Sequence, residues 1–133
     1  MKQKKFTPDV KQPTHSMSSS GTYKILTTTL FVKEATDLKK KYPNIKGDFY
    51  ELQKKLKADP ITGNQSLGKD CYKIRMKISD KKSGERDGAR VIVKVAIIDK
   101  TVYVLSVYDK SEKNNITDDE FQKMLKQCLE KQA

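Results

Sequence analysis

The sequence predicts an α+β domain with helices early in the chain, a run of strands late and a closing helix. Three observations carry this. Ile45, Phe49, Leu52 and Leu56 recur at helical spacing, with lysines between them. "ARVIVKVAII" and "TVYVLSVYD" are β-branched runs with a tight turn, "DKT", at their junction. "KIRMKI" alternates with a period of two: Ile74, Met76 and Ile78 point one way, Lys73, Arg75 and Lys77 the other.

The elements follow in order. "YKILTTTLFV" (residues 23–32) reads as a strand from its β-branched content. Ala35, Leu38 and Tyr42 then mark a helix that Pro43 stops, and the second helix runs from Ile45 until Pro60 ends it. Together they predict a helical hairpin. "ITGNQSLGK" reads as a loop. Three strands follow at 71–78, 89–98 and 101–109, the first two joined by the long polar "SDKKSGERDG", which predicts a mobile hairpin loop. Thr117 and Glu120 stand in capping-box spacing before a helix whose apolar stripe is Phe121, Leu125, Cys128 and Leu129. The expected arrangement is an N-terminal strand, a helical hairpin, an antiparallel sheet meander and a C-terminal helix, with helices on one face and the other face open.

Residues 1–21 lack periodicity and contain Pro8, Pro13 and "HSMSSSG". They are expected to be a flexible tail, native, vector-derived or upstream of a start at Met17, and residues 22–133 the domain. Lysine and arginine number 28 against 17 acids, a net charge of +11 on 133 residues. An excess of this size, concentrated in particular elements, points to a polyanionic partner. Cys71 and Cys128 fit no metal-ligand spacing and are expected to be reduced, packed thiols. No apolar run reaches the ~18 residues a membrane span requires, so a cytoplasmic protein without membrane association is expected.

The cations suggest where chemistry could occur. In an antiparallel meander the end of one strand lies near the start of the next, so Lys77, Arg90 and Tyr108 are expected to gather at one edge of the open face, beside Arg75. Arginine grips phosphate oxygens bidentately and lysine supplies a point charge. Lys73, Lys81, Lys82, Arg86, Lys110 and Lys113 extend the candidate RNA-binding surface. The single histidine, His15, lies in the tail, which excludes a histidine-pair ribonuclease. There is no carboxylate cluster for a two-metal nuclease and no phosphate-loop motif, so an enzyme here is expected to use neither metal nor cofactor. Composition and spacing alone lead to a cationic sheet that binds RNA or DNA.

"IRMKISDKKSGERDGARVIV" followed by "VYVLSVYDKSEKNNIT" resembles the RelE/ParE toxin superfamily, most closely its HigB/RelE-like branch. Members show an (I/L)R(M/K) strand, a "GKSGGAR" loop and an aromatic "YxKxE/DxxxI" ending. Ser83, Gly84, Gly88, Ala89 and Arg90 match the loop, and Tyr108, Lys110, Glu112 and Ile116 lie in the ending. The resemblance covers about residues 23–131. The inserted Glu85-Arg86-Asp87 departs from it by placing acids in a loop that should approach RNA.

The resemblance implies a fold of the microbial-ribonuclease type. It also implies a ribosome-dependent mRNA endonuclease, the toxin of a type II toxin–antitoxin system, with mRNA, the ribosome and a small cognate antitoxin as partners. By position it implies catalytic roles for Arg75, Lys77, Arg90 and Tyr108: the arginines on phosphate, Tyr108 or Lys77 as base, and an acid left open. Two alternatives stand beside it, a ParE-like gyrase inhibitor and a non-catalytic nucleic-acid-binding protein.

Overall fold

The structure is a computed structural model and describes residues 22–82 and 84–132, with side chains as far as Cys128. The tail (with His15), Ser83 and the Leu129 side chain lie outside the described residues. Strand β1 (Lys24–Thr27) leads to helices α1 (Thr29–Lys41) and α2 (Ile45–Ala58). Strands β2 (Gln65–Gly68), β3 (Cys71–Met76), β4 (Ala89–Ala96) and β5 (Thr101–Asp109) follow, then helix α3 (Asp118–Gln132). The sheet order is β1-β5-β4-β3-β2, antiparallel except where β1 runs parallel to β5.

The first strand is shorter than its β-branched content predicts. Thr28 ends it: its backbone is extended and its hydroxyl accepts from the Phe31 N–H, so the helix starts at Thr29. Phe31 and Leu38, one helical face, are then buried together. Capping outweighs β-propensity here: β1 pairs with β5 only as far as Val104, although β5 itself continues to Asp109. Beyond that point α1 serves the edge of β5 with side chains. Thr28 Oγ1 lies 3.2 Å from both the Val104 and Leu105 carbonyl oxygens, and Glu34 Oε1 accepts from Ser106 Oγ (2.6 Å) and the Val107 N–H (3.1 Å). Burial pushes the Glu34 carboxyl up, against these two hydrogen bonds.

β2 is a strand where a loop was expected. It is a four-residue polar edge that pairs with β3 through a register shift near Gly68. The predicted 71–78 strand ends at Met76, although Ile78 remains fully buried before a 3₁₀ turn at Ser79–Lys81.

One face of the sheet carries the hairpin. Phe31, Leu38, Phe49, Leu52 and Leu56 pack with Ile74, Met76, Val91, Val93 and Val107. The other face is only partly open, a departure from the expected arrangement. Met124, Leu125 and Cys128 of α3 pack there on Cys71, Ile92, Leu105 and Tyr108. The reason lies in β3 and β5. Cys71 shares the face of Lys73 and Arg75 by alternation, and a bulge leaves Leu105 unpaired between Val104 and Ser106. Together with Ile92 these give α3 an apolar seat beside the cations. Cys71 and Cys128 are buried thiols outside any disulfide, and burial raises the Cys71 thiol to about 11. Such a thiol behaves as a small hydrophobe.

Candidate nucleic-acid interface

The three central strands place Arg75, Arg90 and Tyr108 in one row. Arg75 is the register partner of Arg90, and Arg90 that of Tyr108. Directly paired residues on one face of a sheet have Cβ atoms ~5 Å apart. Arg75 is exposed, whereas Arg90 and Tyr108 are each 6% exposed. Lys73 lies one step along the same face, opposite Ile92.

Arg90 is held by its own hairpin. Its Nη1 donates to the Glu85 carbonyl (3.0 Å) and the Ala89 carbonyl (3.2 Å), and its Nη2 to the Arg86 carbonyl (2.9 Å). Neither Asp87 nor Asp109 forms a salt bridge with Arg90 among the described residues. Burial lowers the Arg90 pKa and neighbouring Arg75 lowers it further, yet a guanidinium stays charged at any working pH. The result is a fixed cation whose loop cannot drift from the row. Glu85 turns its carboxylate to Lys55 of α2, 3.7 Å away, so one of the two inserted acids is committed to the helix side.

Tyr108 is the unsatisfied group of the site. Among the described residues its hydroxyl is buried with no hydrogen-bond partner. An orphaned buried hydroxyl costs about 1–3 kcal/mol, which a ligand oxygen at the row would relieve. Burial pushes the phenol up, Arg90 opposes this and Glu120 adds to it. Lys113 lies over the ring, its Nζ 5.6 Å from the centroid, and pairs with Glu120 Oε2 at 2.5 Å. Lys73 Nζ donates to Asn115 Oδ1 (3.0 Å), and Lys110 Nζ to Asn114 Oδ1 (2.6 Å). Burial lowers the Lys73 pKa, with Arg90 and Lys110 adding to the effect. Lys73, Arg75, Arg90, Tyr108, Lys110 and Lys113 thus form one group.

Of the remaining sequence candidates, Lys77 borders the row and the others lie on the hairpin loop or turn away from it. Lys77 is exposed just past β3, continuing the alternation of Lys73 and Arg75. Lys82 and Arg86 are exposed on the hairpin loop. Lys81 turns to the helix side, where its ammonium donates to Asp109 Oδ1 (2.7 Å), the Asp87 carbonyl (2.7 Å) and Ser111 Oγ (3.2 Å). The loop expected to be mobile is therefore tied at Lys81 and again at Arg90.

Asp109 is the anchor of that second network. Its fully buried carboxylate accepts from Lys81, from Tyr42 OH at 2.7 Å and from Ser111 Oγ at 2.7 Å. Burial alone would raise its pKa, but the hydrogen bonds from Lys81, Tyr42 and Ser111 prevail and hold it well below its ordinary 3.8. A depressed carboxyl stabilises the fold above its unfolded pKa, and that stabilisation drains away as pH falls through the folded value. Asp109→Ala is expected to cost about 3 kcal/mol near neutral pH, because it strands a half-sheltered ammonium and a phenol. Urea unfolding from pH 7 down to pH 2 checks this. Wild type should lose stability below about pH 4, with the variant flatter over the same range.

Sequence reasoning missed Glu120, Asn114 and Asn115 as neighbours of the site. Glu120 was legible only as a cap. That cap exists: Glu120 N–H donates to Thr117 Oγ1 (3.1 Å), and Thr117 N–H to Glu120 Oε1 (2.8 Å). Among the described residues no group of three or more His, Cys, Asp or Glu side chains could hold a metal ion, and no helix is long and apolar enough to cross a membrane.

No protein-family model matches the chain, and no curated protein matches it at a significant level. A solved structure does: the Escherichia coli toxin RelE, as a double arginine-to-alanine mutant in the free state. The TM-score is 0.51 at 17% identity, over 83% of this chain and 97% of that one. The chain has a RelE-like fold, a five-stranded sheet with three helices.

Proposed function

We propose that this chain is the toxin of a type II toxin–antitoxin system and acts as a ribosome-dependent mRNA endonuclease that arrests translation in the cytoplasm. The observation that carries the reading is the cross-strand row of Arg75, Arg90 and Tyr108, flanked by Lys73, Lys110 and Lys113, on a RelE-like fold. The 2′-hydroxyl of a bound nucleotide attacks the adjacent phosphorus. The bond to the 5′-oxygen breaks, leaving a 2′,3′-cyclic phosphate. Arg75 and Arg90 bind the phosphate and meet the charge that develops on it, where fixed donors contribute most. Tyr108, whose proton burial retains, donates to a phosphate or leaving oxygen. That leaves Lys77, the other base candidate, exposed on the same face just past β3, to take the 2′-hydroxyl proton. The partners follow from the reading: mRNA on the ribosome, and a small acidic antitoxin that covers the cationic face.

The test is induction of the chain in a bacterial host with 5′-end mapping of transcripts. Cuts within translated frames, abolished when translation is blocked, are expected. Growth arrest with intact transcripts and a DNA-damage response would replace this reading with gyrase inhibition. Absence of arrest would leave a nucleic-acid-binding protein.

A further inference from the structure

Glu120 is an acid that pairs with a member of the cationic group, Lys113. Its Oε2 holds Lys113 at 2.5 Å, and its Oε1 accepts the Thr117 N–H that closes the first turn of α3. Lys113 in turn lies over the Tyr108 ring. The Tyr108 hydroxyl is buried and unpartnered, and the Lys113–Glu120 pair at its ring has side chains 34% and 41% exposed. A carboxylate oxygen on an ammonium is the same charge-assisted contact that a phosphate oxygen makes. The pair is accessible enough to exchange, because partly exposed ion pairs are weak.

We propose that Glu120 is an internal stand-in for an RNA phosphate: its carboxylate occupies Lys113 in the unliganded chain, and an incoming phosphodiester takes Lys113 from it. This rests on the reading that the Arg75–Arg90–Tyr108 row binds RNA phosphate. Glu120 is accordingly a positioning residue. It parks Lys113 over the aromatic ring and sets a threshold, so that only an anion also held by the arginines displaces it. Tying the same carboxylate to the helix cap keeps the stand-in from swinging away.

The test uses the full chain and a fluorescent single-stranded RNA dodecamer, with binding followed by anisotropy as a function of salt. Glu120→Gln keeps a capping-box side chain, since glutamine serves there as well as glutamate, but removes the charge. It is expected to tighten binding about three- to tenfold at low salt and to steepen the salt slope by ~0.7, the value for one net charge on a single strand, because no freed carboxylate then takes up a cation. Glu51→Gln removes one charge on the far helix face, where Glu51 pairs with Lys54, and is expected to change affinity far less. The double variant Glu120→Gln/Lys113→Ala should lose both the gain and the added slope. If Glu120→Gln binds no tighter than Glu51→Gln, or if the gain survives loss of Lys113, the stand-in is overturned while the row keeps its role. If Arg75→Ala also binds as tightly as wild type, the phosphate reading of the row falls and this proposal falls with it.

Discussion

Replacing Arg75 with alanine is expected to lower RNA cleavage about 10²- to 10³-fold while moving Tm by no more than about 2 °C. Arg90→Ala should lose at least as much activity and also destabilise the protein. The two arginines are neighbours across one strand pair, so the contrast isolates what each does. Arg75 is exposed on the sheet face, and truncating it removes charge from the site with little packing to lose. Arg90 is buried and carries the carbonyls of Glu85, Arg86 and Ala89 on its guanidinium. Its removal leaves these carbonyls short of a donor and frees the hairpin loop. Arg90→Lys supplies a charge but cannot span three carbonyls with a planar fork, so it should recover little. Cleavage rates on a ribosome-bound message, set beside thermal melts of the same samples, check all three variants. Equal activity in Arg75→Ala and wild type would remove the exposed arginine from the chemistry.

Much of this arrangement was legible because alternation is local. "KIRMKI" discloses its cationic face without any knowledge of its neighbours, and the turn at "DKT" brings the next strands into an antiparallel meander. Arg75 meets Arg90 across the β3–β4 pair, but Arg90 meets Tyr108 only because the bulge at Leu105 shifts the β4–β5 register by one residue. The end of β1 was not legible from propensity, since "TTTLFV" favours a strand wherever a strand partner exists. The β5 edge continues to Asp109, yet β1 leaves it at Val104, where the Thr28 hydroxyl caps a helix instead. β2 escaped notice because a four-residue polar edge has no buried face to impose a pattern.

The seat of α3 left a faint signal. Cys71 and Ile92 are apolar residues in phase with Lys73 and Arg90, and a helix with an apolar stripe needs somewhere to bury it. The bulge that adds Leu105 to that seat has no sequence mark. Nor could the sequence link Lys81 to Asp109, which are 28 positions apart and meet only through the fold.

Gly88→Ala is expected to be the most damaging single-methyl change in the molecule. A Cβ at Gly88 would lie 2.2 Å from the Met76 carbonyl oxygen and 2.9 Å from the Lys77 Cα. Both are backbone atoms, so no rotamer change relieves the overlap, and the end of β3 and the start of β4 must separate. Gly88 also accepts the Lys110 N–H at 3.0 Å, so the same displacement pulls on the end of β5. All three strands carry the site within two residues of that point, at Arg75, Arg90 and Tyr108. A loss of about 3 kcal/mol is expected, the upper part of the range for overpacking, together with loss of cleavage even at temperatures where the variant is folded.

Gly47→Ala is the matched control. It lies in α2 with nothing within 4 Å of the new methyl, and it should gain about 0.5–1 kcal/mol from helix propensity. Urea unfolding of both variants measures the difference. Equal stability of Gly88→Ala and wild type would mean that β3 and β4 do not approach this closely at the site. In that case the pairing of Arg75 with Arg90 would lose its basis. The glycine beside the arginine is thus needed for contact between strands: it lets two backbones come close enough for Arg75 and Arg90 to stand side by side.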